Sequence, residues 1–216
     1  MRKGGRNRSP AQRFLLFLAA LAALFIGYYW GSRYAPTEPV YSALSPLKTP
    51  PLIRLEGLQD QFGEPFTGER LQGHWSLLLL GYSASPEVTP ALLRLTTQAL
   101  NRLADRPRLR ERMQVVLVSV DPARDSPGVL RRFLTGYPPE YLAVSGPAER
   151  IRALTGQLGA RFREGSPGAA GEESIVFSTS IALSDPQGRL VGLFTGRVDG
   201  ASIAADLKQI SDTHAP

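Results

Sequence analysis

Residues 73–95 read GHWSLLLLGYSASPEVTPALLRL, and residues 115–133 read VVLVSVDPARDSPGVLRRF. Each opens on a short apolar run, at 76–80 and 115–120, of the length and composition expected of a strand buried on both faces. Each run then passes through small residues and prolines into apolar positions at helical spacing. These are Leu92, Leu93, Leu95, Leu100 and Leu103 after the first strand, and Leu130, Phe133 and Leu134 after the second. Ser85-Pro86, Thr89-Pro90 and Ser126-Pro127 each join an N-cap residue type to proline at a first helical position. Two strand–turn–helix units in succession predict a parallel sheet.

The pattern extends on the C-terminal side. Residues 142–144 predict a third strand, and 147–158 a helix with Ile151, Leu154 and Leu158 on one face, stopped by Gly159. Residues 164–173 (EGSPGAAGEE) read as an exposed flexible loop. Residues 181–184 and 190–194 flank DPQG at 185–188, which has the turn chemistry of a hairpin, and 199–210 form a last helix. The order β-α-β-α-β-α-β-β-α describes a thioredoxin-like α/β fold, a central mixed sheet flanked by helices, over residues 52–213.

The N-terminal quarter has a different composition. Residues 14–32, FLLFLAALAALFIGYYWGS, carry no charge, and as a helix they cover roughly 28 Å, close to the hydrocarbon thickness of a bilayer. Five basic residues and no acid lie within residues 1–13, which places the N-terminus in the cytoplasm and exports the remainder. The run is longer than a cleavable signal sequence and ends in Tyr28, Tyr29 and Trp30, so an uncleaved signal-anchor is expected. Residues 33–51 contain five prolines and read as a semi-rigid spacer that forms neither helix nor central strand. Arginine outnumbers lysine 22 to 3, in keeping with a GC-rich bacterial genome.

Composition narrows the chemistry. The 216 residues contain no cysteine and two histidines, His74 and His214. Disulfides, zinc ribbons, iron–sulfur clusters, thiol redox centres and multi-histidine metal sites are therefore excluded within this chain. The net charge of +6 resides entirely in residues 1–33, and the remainder balances 19 bases against 19 acids. A nucleic-acid-binding domain needs an excess or a one-sided basic stripe, so no nucleic-acid partner is expected.

In order and spacing, LQDQFGEPFTGERL at 58–71, the two stretches quoted first and SIALSDPQGRLVGLF at 180–194 resemble the Sco (SenC) family. The resemblance implies a membrane-anchored, thioredoxin-like protein concerned with the copper centre of cytochrome c oxidase. The family's copper ligands are two cysteines after the first core strand and a histidine before the D-P-x-G turn. In this chain those positions fall on Ser85, Thr89 and Phe177. Copper(I) is soft and selects thiolate or thioether, whereas a hydroxyl is a hard, neutral oxygen. The resemblance thus implies a copper site without its ligands: no metal, no cofactor and no catalytic residue.

Other polar residues admit two readings each. Ser85 and Thr89 are N-caps, or Ser85 is a hydrolase nucleophile with Glu87 or His74 as base. His74 is a strand-edge residue or a ligand, and His214 belongs to a disordered tail. Asp121, Arg124 and Asp125 form a local ion pair and a helix cap, or contact a partner at the strand ends, where open α/β sheets bind ligands. Arg102, Arg106, Arg108, Arg110 and Arg112 form a solvated basic run, or meet anionic lipid or an acidic protein. Two functions follow. One is an anchored accessory protein of respiratory oxidase assembly, on the periplasmic face of a bacterial inner membrane, that binds another membrane or periplasmic protein. The other is a copper metallochaperone using a non-standard site or ligands supplied by a partner.

Overall fold

The computed structural model describes residues 10–34, 40–160, 162–167 and 173–213. His214, residues 1–9 and 35–39 of the N-terminal segments, and 168–172 of the predicted loop lie outside them. The chain divides into two compact units, residues 1–40 and 41–216. The first contains helix α1 (Pro10–Tyr34), in which Pro10–Gly31 is long and apolar enough to cross a membrane.

The second unit is built on an eight-stranded sheet. Its strands are β1 (Leu44–Pro46), β2 (Leu58–Asp60), β3 (Pro65–Phe66), β4 (Trp75–Gly81), β5 (Met113–Ser119), β6 (Tyr141–Ser145), β9 (Ile181–Ser184) and β10 (Leu190–Phe194). Strands β7 (Phe162–Pro167) and β8 (Glu173–Phe177) form a separate antiparallel pair. The order across the main sheet is β1-β10-β9-β4-β5-β6-β2-β3. Strands β4, β5 and β6 are parallel and the outer pairings antiparallel. This is the predicted thioredoxin-like arrangement.

Every residue of β4 and β5 is buried, as their unbroken apolar runs require. Alternation along them feeds two side-chain layers. Leu77, Leu79, Val115 and Leu117 pack with α2 (Val88–Asn101), α4 (Pro127–Phe133) and α6 (Gly200–Thr213). Leu78, Leu80, Val116 and Val118 pack with α5 (Ala148–Gln157) and the segment before β4. Short α3 (Pro107–Glu111) connects α2 to β5.

Two expectations are corrected. The spacer read over 33–51 is partly built into the domain: β1 pairs with β10, Leu44 is buried, and the amides of Ser42, Ala43 and Leu44 donate to the buried carboxylate of Asp206 at 2.7–2.8 Å. Proline is compatible with an edge strand, whose outward N–H has no ladder partner to lose. The loop read over 164–173 begins and ends as strand, since β7 runs to Pro167 and β8 starts at Glu173. Pairing across the two strands holds these ends, of which 164–167 (EGSP) has no hydrophobic alternation to announce it.

Candidate functional site

At its C-terminal end β4 runs through a short loop that carries Ser85 into α2, which carries Thr89. Gly81 closes the strand, and a Cβ there would stand 2.7 Å from Thr89 Oγ1 and 2.8 Å from Leu117 Cδ1. Only glycine lets Thr89 pack down on the strand end. Thr89 is wholly buried, and its hydroxyl accepts the Tyr82 amide at 3.1 Å. Ser85 Oγ accepts the Thr89 amide at 3.3 Å, satisfying one of the free donors of the first turn of α2.

Capping therefore falls to one of the two hydroxyls. Ser85 serves the helix from outside it. Thr89 is not a cap: α2 begins at Val88 after Glu87, so Thr89 is already helical and turns back to the strand. Pro90 then occupies the third helical position, where its missing N–H has no intrahelical acceptor to lose.

The parallel register sets Gly81 beside Ser119, which brings the loop after β5 against the loop after β4. Asp125 joins them. Its buried carboxylate accepts from the Ser83 amide at 3.0 Å, from Ser83 Oγ and from Ser119 Oγ at 2.6 Å. Asp125 thus clamps two strand ends and does not cap α4, whose N-cap residue is Ser126. Asp121 forms the expected ion pair with Arg124. That hydrogen bond raises the Arg124 pKa further above its ordinary value.

Tyr82, which the sequence reading did not single out, sits at the centre. Its ring meets Phe177 edge-on with centroids 5.9 Å apart, and the Arg124 guanidinium lies over it at 5.9 Å. Phe177, half-buried at the end of β8, is thereby joined to the loops carrying Ser85, Asp121 and Asp125. No periodicity marks Tyr82; the pairing of the β4 and β5 ends is the one signal pointing to it.

His74 is not brought here. It is exposed just before Trp75, at the opposite end of a strand that extends about 20 Å, and its Nδ1 lies 3.0 Å from the Gln72 carbonyl. It cannot serve Ser85 as a base. Met113, the sulfur of the folded domain, is buried beside Trp75 at that same remote end. Among the described residues no group of three His, Cys, Asp or Glu could hold a metal, and every buried side-chain nitrogen or oxygen has a hydrogen-bond partner. Ser85, Thr89 and Phe177 do not fit copper(I): they offer two neutral hydroxyls engaged by backbone amides and one phenyl ring.

A family model described as SCO1/SenC matches residues 57–212. A putative copper-binding protein of Stutzerimonas stutzeri is 32% identical over 155 residues, covering 72% of this chain and 74% of its own length. The mitochondrial SCO1 protein of Saccharomyces cerevisiae is 28% identical over 192 residues, covering 88% of this chain and 64% of its own length. The solution structures of apo Sco1 from Thermus thermophilus match with a TM-score of 0.65 at 28% identity, covering 79% of this chain and 97% of that one.

Proposed function

The chain belongs to the SCO1/SenC family, and from that premise we propose that it is an anchored accessory protein of cytochrome oxidase assembly that neither binds copper nor exchanges thiols. The family's concern with copper delivery and oxidase assembly supplies the process. One observation supports the departure from it: of Ser85, Thr89 and Phe177, which the resemblance sets at the ligand positions, both hydroxyls accept backbone amides and the ring packs on Tyr82. Thiol–disulfide exchange needs a thiolate, and the 216 residues have no cysteine. The protein is not an enzyme on this reading. Its partner is another protein of the bacterial inner membrane or periplasm, met through the exposed Arg124 over the buried Asp121 and Asp125. The apolar helix α1 anchors the chain, with the folded unit in the periplasm.

A second reading, copper delivery through a non-standard site or ligands completed by a partner, draws on the Stutzerimonas relative described as copper-binding. Copper(I) titration against a competing chelator separates the two. The parent chain is expected not to bind, and Ser85→Cys, Thr89→Cys and Phe177→His together are expected to create binding, because two thiolates and an imidazole are a suitable set. Binding by the parent as tight as by the triple variant overturns the first reading. In-membrane crosslinking is expected to recover oxidase subunits or their assembly factors in both proteins.

A further inference from the structure

A cleft of about 580 Å³ lies at the end of the sheet remote from Ser85, where β4 and β5 begin. Arg106, Arg108 and Arg112 line it, with Asp105 and Asp212 as its acids. Both acids are engaged, Asp212 by Arg106 and Asp105 by Lys208, each at 2.7 Å. Arg110 pairs with Glu140, and neither it nor Glu111 lines the cleft. Among the described residues no acid lies within ion-pair distance of Arg108 or Arg112, and both are exposed. Arg112 donates its Nε to the Gly73 carbonyl at 3.1 Å, which steadies the side chain and leaves its terminal nitrogens for a ligand. A guanidinium fork matches the paired oxygens of a phosphate.

The tether argues for the source of that phosphate. The second unit begins at Tyr41, whose phenol is hydrogen-bonded to Thr213, the neighbour of cleft-lining Asp212. Seven Cα steps separate Tyr41 from Tyr34 at the end of α1, at most about 25 Å of extended chain. We propose that the Arg108–Arg112 cleft binds the phosphate of an anionic lipid headgroup and docks the tethered domain on its own membrane. The assignment rests on the membrane-anchored reading above. Tethering makes docking intramolecular, so contacts too weak to hold a free domain suffice.

The test uses the full chain in nanodiscs of phosphatidylcholine alone or with 30 mol% phosphatidylglycerol. Because the chain has no cysteine, Ala104→Cys places a single spin label on an exposed residue beside the cleft, and Ala84→Cys places a control label near the other end of β4. Phosphatidylglycerol is expected to add an immobilised component to the spectrum at 104 and none at 84. Each basic group near an anionic surface contributes roughly fivefold. The Arg108→Gln, Arg112→Gln pair should therefore cut the ratio of docked to free signal by about 25-fold, and Arg108→Gln alone, which leaves the Gly73 contact intact, by about fivefold. A docked fraction indifferent to phosphatidylglycerol, or to both variants, overturns the site. Displacement by 5 mM inorganic phosphate at constant ionic strength assigns the cleft to soluble phosphate and overturns the lipid source. A chain that does not co-elute with the discs overturns the anchor, and the docking with it; co-elution without lipid dependence overturns the docking alone.

Discussion

Thr89 shows how one buried hydroxyl can hold a strand end against the loop that follows it. Its hydroxyl is buried and accepts the Tyr82 amide, so replacing it with valine keeps the shape and deletes the acceptor. A buried donor left without a partner costs about 1–3 kcal/mol. Thr89→Val is expected to lower the unfolding free energy by that amount in urea, with an unchanged denaturant slope, and to cost more than Thr89→Ser, which keeps the oxygen. The reverse order would show that the methyl group, not the hydrogen bond, holds the strand end. The motif alone located Ser85 and Thr89. It did not assign their roles, because those turn on whether α2 starts at Val88 or after Thr89, a shift smaller than any periodicity can resolve. Asp125 was misassigned for a related reason. A carboxylate one residue before Ser126-Pro127 looks like a local cap, and its true partners, Ser83 and Ser119, come from the tertiary pairing of β4 with β5.

Among the elements, those that bury a continuous apolar run or a helical stripe were legible: β4, β5, α2, α5 and α6 all lie within a few residues of their sequence reading. Those held mainly by backbone pairing, β1 (LSP) and β7 (FREGSP), were not, since Gly, Ser and Pro carry no alternation to read. Helix α6 illustrates how termini are secured. Asp199 accepts the amides of Ala201 and Ser202 at 2.9 and 2.8 Å, and the bond from the Ser202 amide is the chief cause that lowers its pKa below 3.8. Lys208 and Arg106 likewise lower Asp105 and Asp212, as hydrogen-bonding partners in exposed, solvent-screened pairs. A carboxylate with a depressed folded pKa contributes stability that is present above its unfolded value and lost as pH falls through the folded one. The melting temperature is thus expected to fall between pH 5 and pH 3. Asp199→Asn, which keeps a capping oxygen without a charge, should flatten that fall; equal slopes in the two proteins would remove Asp199 from the account.

For the whole molecule, the decisive junction is where the tether becomes part of the domain. Three consecutive amides, those of Ser42, Ala43 and Leu44, converge on the carboxylate of Asp206, and β1 then adds to the sheet along β10. Hydrogen bonds to a charged acceptor contribute about 1.5–3 kcal/mol each. Asp206→Ala would leave three donors facing a void if β1 stayed in place. Undocking β1 lets those amides bond to water, so its docking free energy caps the cost and the strands from β10 inward keep their pairings. The variant should therefore remain folded while amide exchange over residues 42–47 accelerates at least tenfold and a protease cleaves within 41–51. Asp206→Asn, retaining one acceptor oxygen, should fall between the two. Protection over 42–47 equal to the parent's would mean that burial of Leu44 and the ladder to β10 suffice without the carboxylate. Release would lengthen the tether by about ten residues, some 35 Å when extended, and expose the β10 edge to pairing with another chain. Asp206 is accordingly the residue that fixes where the folded unit begins.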